Sequence, residues 1–300
     1  MVNRDLLEFS DYLNSKYNMN TYVSRNKVID YKSALKMYIL KIILFTILLV
    51  VLGIMINKYK KNNILLIVYI IIIFFYIISI TINIISKNTI QNKIKFIKDN
   101  KKLQDFSDLK FKTGDIFQSI NNFHDYNTYL SYHLLFAFMH NFILIEFRNK
   151  FYLMHIINVN FGYDIDSIYF KNNKHLIIDD LNEYINYERT LFDTVYRVIP
   201  VNRSLDSDKI LDIVNINFNN SKINFSFSPI LNFFSIEEYY NKFFNNVNCC
   251  NIIIKILYMY GIIKINNFNN ITSDDLVFLK YWSNNVYTDP IYFYIDKTPN

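Results

Sequence analysis

The sequence predicts an α+β protein in two parts: a helical hairpin of membrane-spanning length, then a globular half in which strands precede helices. Three observations carry this reading. Two long apolar runs lie close together, at 37–56 and 64–82. Charge is split along the chain: residues 1–102 hold 16 Lys/Arg against 5 Asp/Glu, a net of +11, while 103–300 hold 16 against 21, a net of −5. Beyond residue 103, short apolar runs of strand character come before helical ones with little alternation, which argues for α+β.

Composition narrows the classes further. The 300 residues are 52% hydrophobic and 19% charged, so the chain buries a core and is not a disordered polymer. Four Gly and four Pro exclude collagen-like and linker compositions. Two Cys cannot make a disulfide framework. The acidic second part excludes a uniformly basic nucleic-acid-binding domain, so no nucleic-acid partner is expected.

Residues 1–36 form an N-terminal segment with a short helix near 5–14. The run 37–56 is interrupted only by Lys41, and 64–82 carries no charge. About 20 apolar residues span a bilayer as a helix. The polar connector 57–63 (NKYKKNN) makes an antiparallel two-span hairpin over 37–86, with the lipid bilayer as partner. Lys32, Lys36, Lys41, Lys87, Lys93, Lys95 and Lys98 lie at the outer ends, against Lys58, Lys60 and Lys61 in the connector. That excess predicts an integral membrane protein with both terminal parts in the cytosol. The stretch 87–102 holds six Lys and one Asp, with Ile90, Ile94 and Ile97 at helical spacing, and reads as a basic amphipathic linker.

The segment 103–300 is long enough for one domain. A strand entry at 109–117 (LKFKTGDIF) is broken by a Thr-Gly-Asp turn. Runs at 141–147 (NFILIEF) and 151–157 (FYLMHII), joined by Arg148-Asn149-Lys150, read as a β-hairpin buried on both faces. A short strand at 176–178, an acidic helix at 178–187 and a strand at 194–201 follow. Helices are expected at 206–215, with Ser207 as cap, and at 235–245, opened by a Ser235–Glu238 capping box. The apolar run 251–260 is a helix stopped by Gly261. Ser273-Asp274-Asp275 opens a last helix, and 287–294 closes as a strand.

The chemistry rests on scarce residues. Cys249 and Cys250 sit at the start of a predicted helix, where unpaired N–H groups favour a thiolate. A thiol nucleophile needs a base, and the base needs a group to orient it. Of five His, His140 and His155 fall on the two strands of one predicted hairpin, within cross-strand reach. No zinc-ligand spacing, phosphate-cradling loop or dinucleotide fingerprint is present, so neither metal nor cofactor is expected.

In this order the pieces resemble the circularly permuted NlpC/P60 (papain-like) cysteine hydrolases. LKFKTGDI at 109–116 is similar to that family's hydrophobic-x-x-GDI entry, with Gly114 and Asp115 as the turn at the site. The family's base His heads a His-hydrophobic-Gly-Ile-Val strand; here it is His140 in HNFILI, with Asn141 and Phe142 where smaller residues are usual. The third polar residue on the returning strand is His155 in YLMHI. The nucleophile's Asn-Cys-Ser-x-hydrophobic-hydrophobic, with Gly twelve residues on, is matched by Asn248-Cys249-Cys250-Asn251-Ile252-Ile253 and Gly261. TVYRVIPVNRSL at 194–205 is similar to the R-x-x-P-hydrophobic segment of YiiX/YaeF-like and poxviral members. Asp274-Asp275-Leu276 with 287–290 resembles their tail, without its first Pro. A His at the third position is similar to the lecithin:retinol acyltransferase branch, whose Asn-Cys-Glu-His-Phe sequence is absent here. The branch stays open.

The resemblance covers 103–300 and implies a membrane-anchored cysteine hydrolase. Cys249 would attack an acyl carbonyl and form a thioester, His140 would be its base and His155 would orient His140. Cys250 is the alternative nucleophile. The bond expected is an acyl amide, as in an amidase or peptidase; a lipid ester hydrolase or acyltransferase is the alternative. A membrane-associated protein or lipid is the expected substrate. A third possibility is a catalytically inactive structural or interaction protein.

Overall fold

A computed structural model describes residues 3–25, 31–58, 63–121, 140–157, 165–191, 193–219, 224–225, 246–247, 249–264, 271 and 273–296. The expected helix at 235–245 lies outside them, as do His124, His133 and Asn248. The fold is α+β around a nine-stranded mixed sheet. In chain order its strands are β1 (Thr21–Arg25), β2 (Leu103–Gln104), β3 (Ile116–Asn121), β4 (His140–Phe147), β5 (Lys150–Ile156), β6 (Asp166–Phe170), β7 (Asn173–Asp180) and β8 (Thr194–Ile199). Two two-residue strands, β9 (Asn224–Phe225) and β10 (Asn246–Val247), pair with each other away from this sheet, and β11 (Ile291–Ile295) returns to it. Across the sheet the order is β1-β6-β7-β5-β4-β3-β8-β11-β2, antiparallel except for the β11–β2 pair.

The expected hairpin is β4–β5. Arg148 and Asn149 both have positive φ, 51° and 62°, as a two-residue turn that follows the strand twist requires. Ile143, Ile145, Met154 and Ile156 face one side of the sheet. Phe142, Leu144 and Leu153 face the other. Both faces are covered, which is why these strands read as continuous apolar runs. On the first face lie α1 (Arg4–Tyr17) and the helix that begins at the two cysteines, Cys249–Tyr260. On the second lies the helix Leu181–Leu191, through Leu181, Tyr184 and Ile185.

The N-terminal segment is part of this body. Asn3 caps α1 by accepting from the N–H groups of Asp5 and Leu6, and Leu6, Phe9 and Leu13 are fully buried. β1 then pairs with β6. Neither strand is legible beforehand, because each is short and takes its partner from distant sequence.

Elsewhere boundaries shift. The helix at 178–187 begins three residues later, because Ile178 to Asp180 pair with β5. The cap of Ser207–Val214 is Asp206, whose carboxylate accepts from Asp208 and Lys209 N–H, and not Ser207; the Ser207 hydroxyl instead donates to the Glu146 carbonyl. The last helix opens as a 3-10 turn, Asp275–Phe278, without a side-chain cap. Tyr287 forms an isolated bridge to Val201, and the last strand starts at Ile291.

The expected two-span transmembrane hairpin and the integral-membrane location with cytosolic ends need correction. Two long helices, α2 (Tyr31–Lys58) and α3 (Asn63–Asn100), pack together. The Tyr69 hydroxyl donates to the Leu49 carbonyl, and the Thr46 and Tyr76 hydroxyls are bonded at 2.8 Å. Among the described residues, however, no helix is long and apolar enough to cross a membrane. The basic stretch after the second apolar run is no separate linker. It completes α3, and its Ile94 and Ile97 are buried beside Ile120 and Val195 of the sheet. Lys98 sits 3.7 Å over the Tyr294 ring.

Candidate functional site

The two cysteines begin the helix Cys249–Tyr260, as the sequence indicates. The sulfur of Cys249 lies among donors. The Asn141 side-chain N–H is 3.3 Å away, and the backbone N–H groups of Asn141, Cys249 and Cys250 also act on it. Those donors favour a thiolate, but burial outweighs them and pushes the thiol up. Cys250 packs in the core, and burial, then the neighbouring Cys249, push it well above the ordinary range.

The strand residue that meets the thiol is thus an amide. Asn141 is held in turn. Its side-chain oxygen accepts from Gln118 Nε2 at 2.6 Å, and its Nδ2 also donates to Ser273 Oγ at 2.7 Å. Gln118 Oε1 accepts from Arg197 Nε at 2.6 Å, so the charged donor at one end fixes both amides. Arg197 also donates to the Ser273 carbonyl at 3.0 Å.

His140 precedes Asn141, and adjacent strand residues leave opposite faces. The His140 ring sits edge-on to Phe142, with centroids 4.4 Å apart, on the face of the helix Leu181–Leu191. His155 is on that face too, fully buried, 4.6 Å from the Phe142 ring. The two imidazoles are joined, His140 Nε2 to His155 Nδ1 at 2.6 Å. His155 Nε2 meets Asp179 Oδ2 at 2.8 Å. The structure therefore brings His140 and His155 together and adds Asp179, but places this chain across the sheet from Cys249.

The direction of these bonds is set by chemistry. An Asp179 carboxylate accepts from a His155 Nε2–H. Where His155 Nδ1 carries no proton, His140 donates to it from Nε2 and keeps the lone pair on its own Nδ1. Burial, followed by the proximity of His155, holds His140 well below the ordinary imidazole range, so it is neutral at physiological pH. His140 is half-buried, whereas His155 and Asp179 are fully enclosed.

No family model, curated protein or solved structure matches this chain. The family resemblance accordingly rests on the quoted motifs alone.

Gly114 and Asp115 build a structural turn beside β4. Gly114 has φ 95°, and a Cβ there would lie 2.5 Å from Leu205. Tyr287 OH donates to the Gly114 carbonyl. The Asp115 carboxyl accepts from the N–H groups of Val201 and Lys112, both at 2.8 Å. His175 Nδ1 meets the Ile157 carbonyl at 2.9 Å, apart from either centre. Among the described residues no cluster of His, Cys, Asp and Glu could hold a metal ion. Sequence reasoning missed Asp179, Asn141, Gln118 and Arg197 as site residues. The register of β5 with β7 is what brings Asp179 to His155, and IIDD by itself reads as a helix entry.

Proposed function

We propose that the chain is an acyl hydrolase whose general base is His140, held by His155 and Asp179, and that the buried thiol of Cys249 serves the fold. One observation carries the reading: the Asp179–His155–His140 chain ends on an imidazole that burial keeps neutral. Enclosing a carboxylate and an imidazole is costly, and apolar side chains fill a core more cheaply. His140 takes a proton from the attacking hydroxyl or water and returns it to the leaving group. Asp179 is a positioning residue that keeps His155 in the tautomer His140 requires. The bond is an acyl ester or amide.

The test offers the purified chain p-nitrophenyl acyl esters and peptide anilides. His140→Ala is expected to lose on the order of 100-fold or more in kcat/KM. Asp179→Asn is expected to lose activity and move the pH profile, and Cys249→Ala to keep wild-type turnover. Loss in Cys249→Ala with His140→Ala unaffected would restore the thioester mechanism. A second reading, a non-catalytic interaction protein, is favoured by Asn141 at the thiol, since an amide cannot take the thiol's proton. Absence of turnover in the wild-type chain would select it.

A further inference from the structure

The carboxylate that ends the imidazole chain has a second oxygen. Asp179 lies on β7, between β5 and β6. On the β5 side its Oδ2 meets His155 Nε2 at 2.8 Å, a diagonal contact, since His155 is in register with Ile177. On the β6 side Ser167 is directly across from Asp179, and Tyr169 is across from Ile177. Tyr169 is thus the diagonal neighbour of Asp179 on that flank, and an aromatic side chain reaches across such a diagonal. All three residues share one face, because they alternate with Ile168 and Ile178, which pack in the core on the opposite face. Asp179 Oδ1, Ser167 Oγ and Tyr169 OH are buried, and none has a hydrogen-bond partner among the described residues. The Tyr169 hydroxyl senses both neighbours. Burial, then the Asp179 charge, push it up to about 12, while Ser167 pulls it back. Buried polar groups left unpaired are costly, and a water held inside a protein makes about three hydrogen bonds to such groups.

We propose that Asp179 Oδ1, Ser167 and Tyr169 bind one buried water, and that through it Ser167 and Tyr169 are positioning residues for Asp179. The water accepts from the two hydroxyls and donates to Oδ1, so each of the three oxygens gains a partner. Both carboxylate oxygens are then engaged, Oδ2 by His155 and Oδ1 by the water. A carboxylate held at both oxygens does not turn, and Oδ2 stays aimed at His155 Nε2. The service to catalysis rests on His140 being the base; the water site does not.

The test uses the full chain. A high-resolution crystal structure is expected to show one ordered water within about 3.2 Å of all three oxygens. NMR of the chain carrying isotope-labelled histidine reads how fast the His155 Nε2 proton exchanges with solvent. Exchange is expected to speed by at least about tenfold in Tyr169→Phe and in Ser167→Ala, as loss of a hydrogen bond to a charged group implies. It is expected to stay near wild type in Ser167→Thr, which keeps a hydroxyl. Should Ser167→Ala unfold, Tyr169→Phe, which removes a single oxygen, is read alone. The three oxygens paired directly with one another would overturn the proposal. So would a lowered melting temperature in Tyr169→Phe with wild-type exchange, the mark of a merely structural role. Turnover of p-nitrophenyl butyrate separates the two readings. Turnover that survives His140→Ala, with the water and the exchange as expected, would remove His140 as the base and leave this site in place.

Discussion

At Cys249 and His140 a shift of one residue decides the chemistry. Asn141 reaches the sulfur at 3.3 Å, while His140, its neighbour, turns to His155 on the other face. Strand alternation makes this unavoidable once β4 is set in register against β3 and β5. Residue identity therefore predicts the groups, and register predicts their partners. Asp115 offers a test at the same scale. Burial pushes its carboxyl up to about 6 from 3.8, against the lowering pull of two backbone N–H bonds. Between those values the folded chain keeps a proton that the unfolded chain has released. The protonated group's stabilisation is complete below about pH 4 and is lost as pH rises through 6. The loss is on the order of 3 kcal/mol between pH 4 and 7. Urea midpoints at several pH values are expected to show this slope in the wild type and not in Asp115→Asn. Parallel slopes would mean that Asp115 titrates normally.

The elements differ in how openly the sequence declares them. The β4–β5 hairpin is legible because two apolar runs flank a short polar turn. The helix Cys249–Tyr260 is legible because Gly261, at φ 89°, stops it. β1 and β6 are not, since each is a short strand whose hydrogen bonds come from the other, over 140 residues away in sequence. The N-terminal helix is legible, but its place is not. Phe9 stacks on Phe147 with centroids 4.5 Å apart and meets Tyr152 at 4.7 Å. Phe9→Ala is expected to cost about 3–5 kcal/mol in urea unfolding. Leu7→Ala, at a position 43% exposed, is expected to stay within about 0.5 kcal/mol. Equal small effects would mean that α1 is only loosely attached.

Across the whole molecule, Arg197 joins parts that are far apart in sequence. From β8 it donates to Gln118 on β3 and to the Ser273 carbonyl, and through Asn141 on β4 the chain reaches the cysteine helix. Burial lowers the guanidinium, and Asp274 opposes this. Arg197→Met strands Gln118 Oε1 without its donor and takes one of two donors from the Ser273 carbonyl, which keeps Gln118 Nε2, and is expected to destabilise by several kcal/mol in thermal unfolding. Arg197→Lys is not expected to rescue it, because one ammonium cannot reproduce the planar fork. A melting temperature equal to wild type in Arg197→Met would remove this network from the fold's support. By itself, the sequence determined the α+β class, the hairpin, the helix that starts at the cysteines and the scarce groups able to do chemistry. Periodicity and turn residues are local properties, so they survive reading along the chain. Only the tertiary structure decided that His140, His155 and Asp179 form one chain and that Cys249, on the other face of the sheet, meets the Asn141 amide. Strand register and sheet order set those distances, and both are fixed by packing between segments that no local pattern connects.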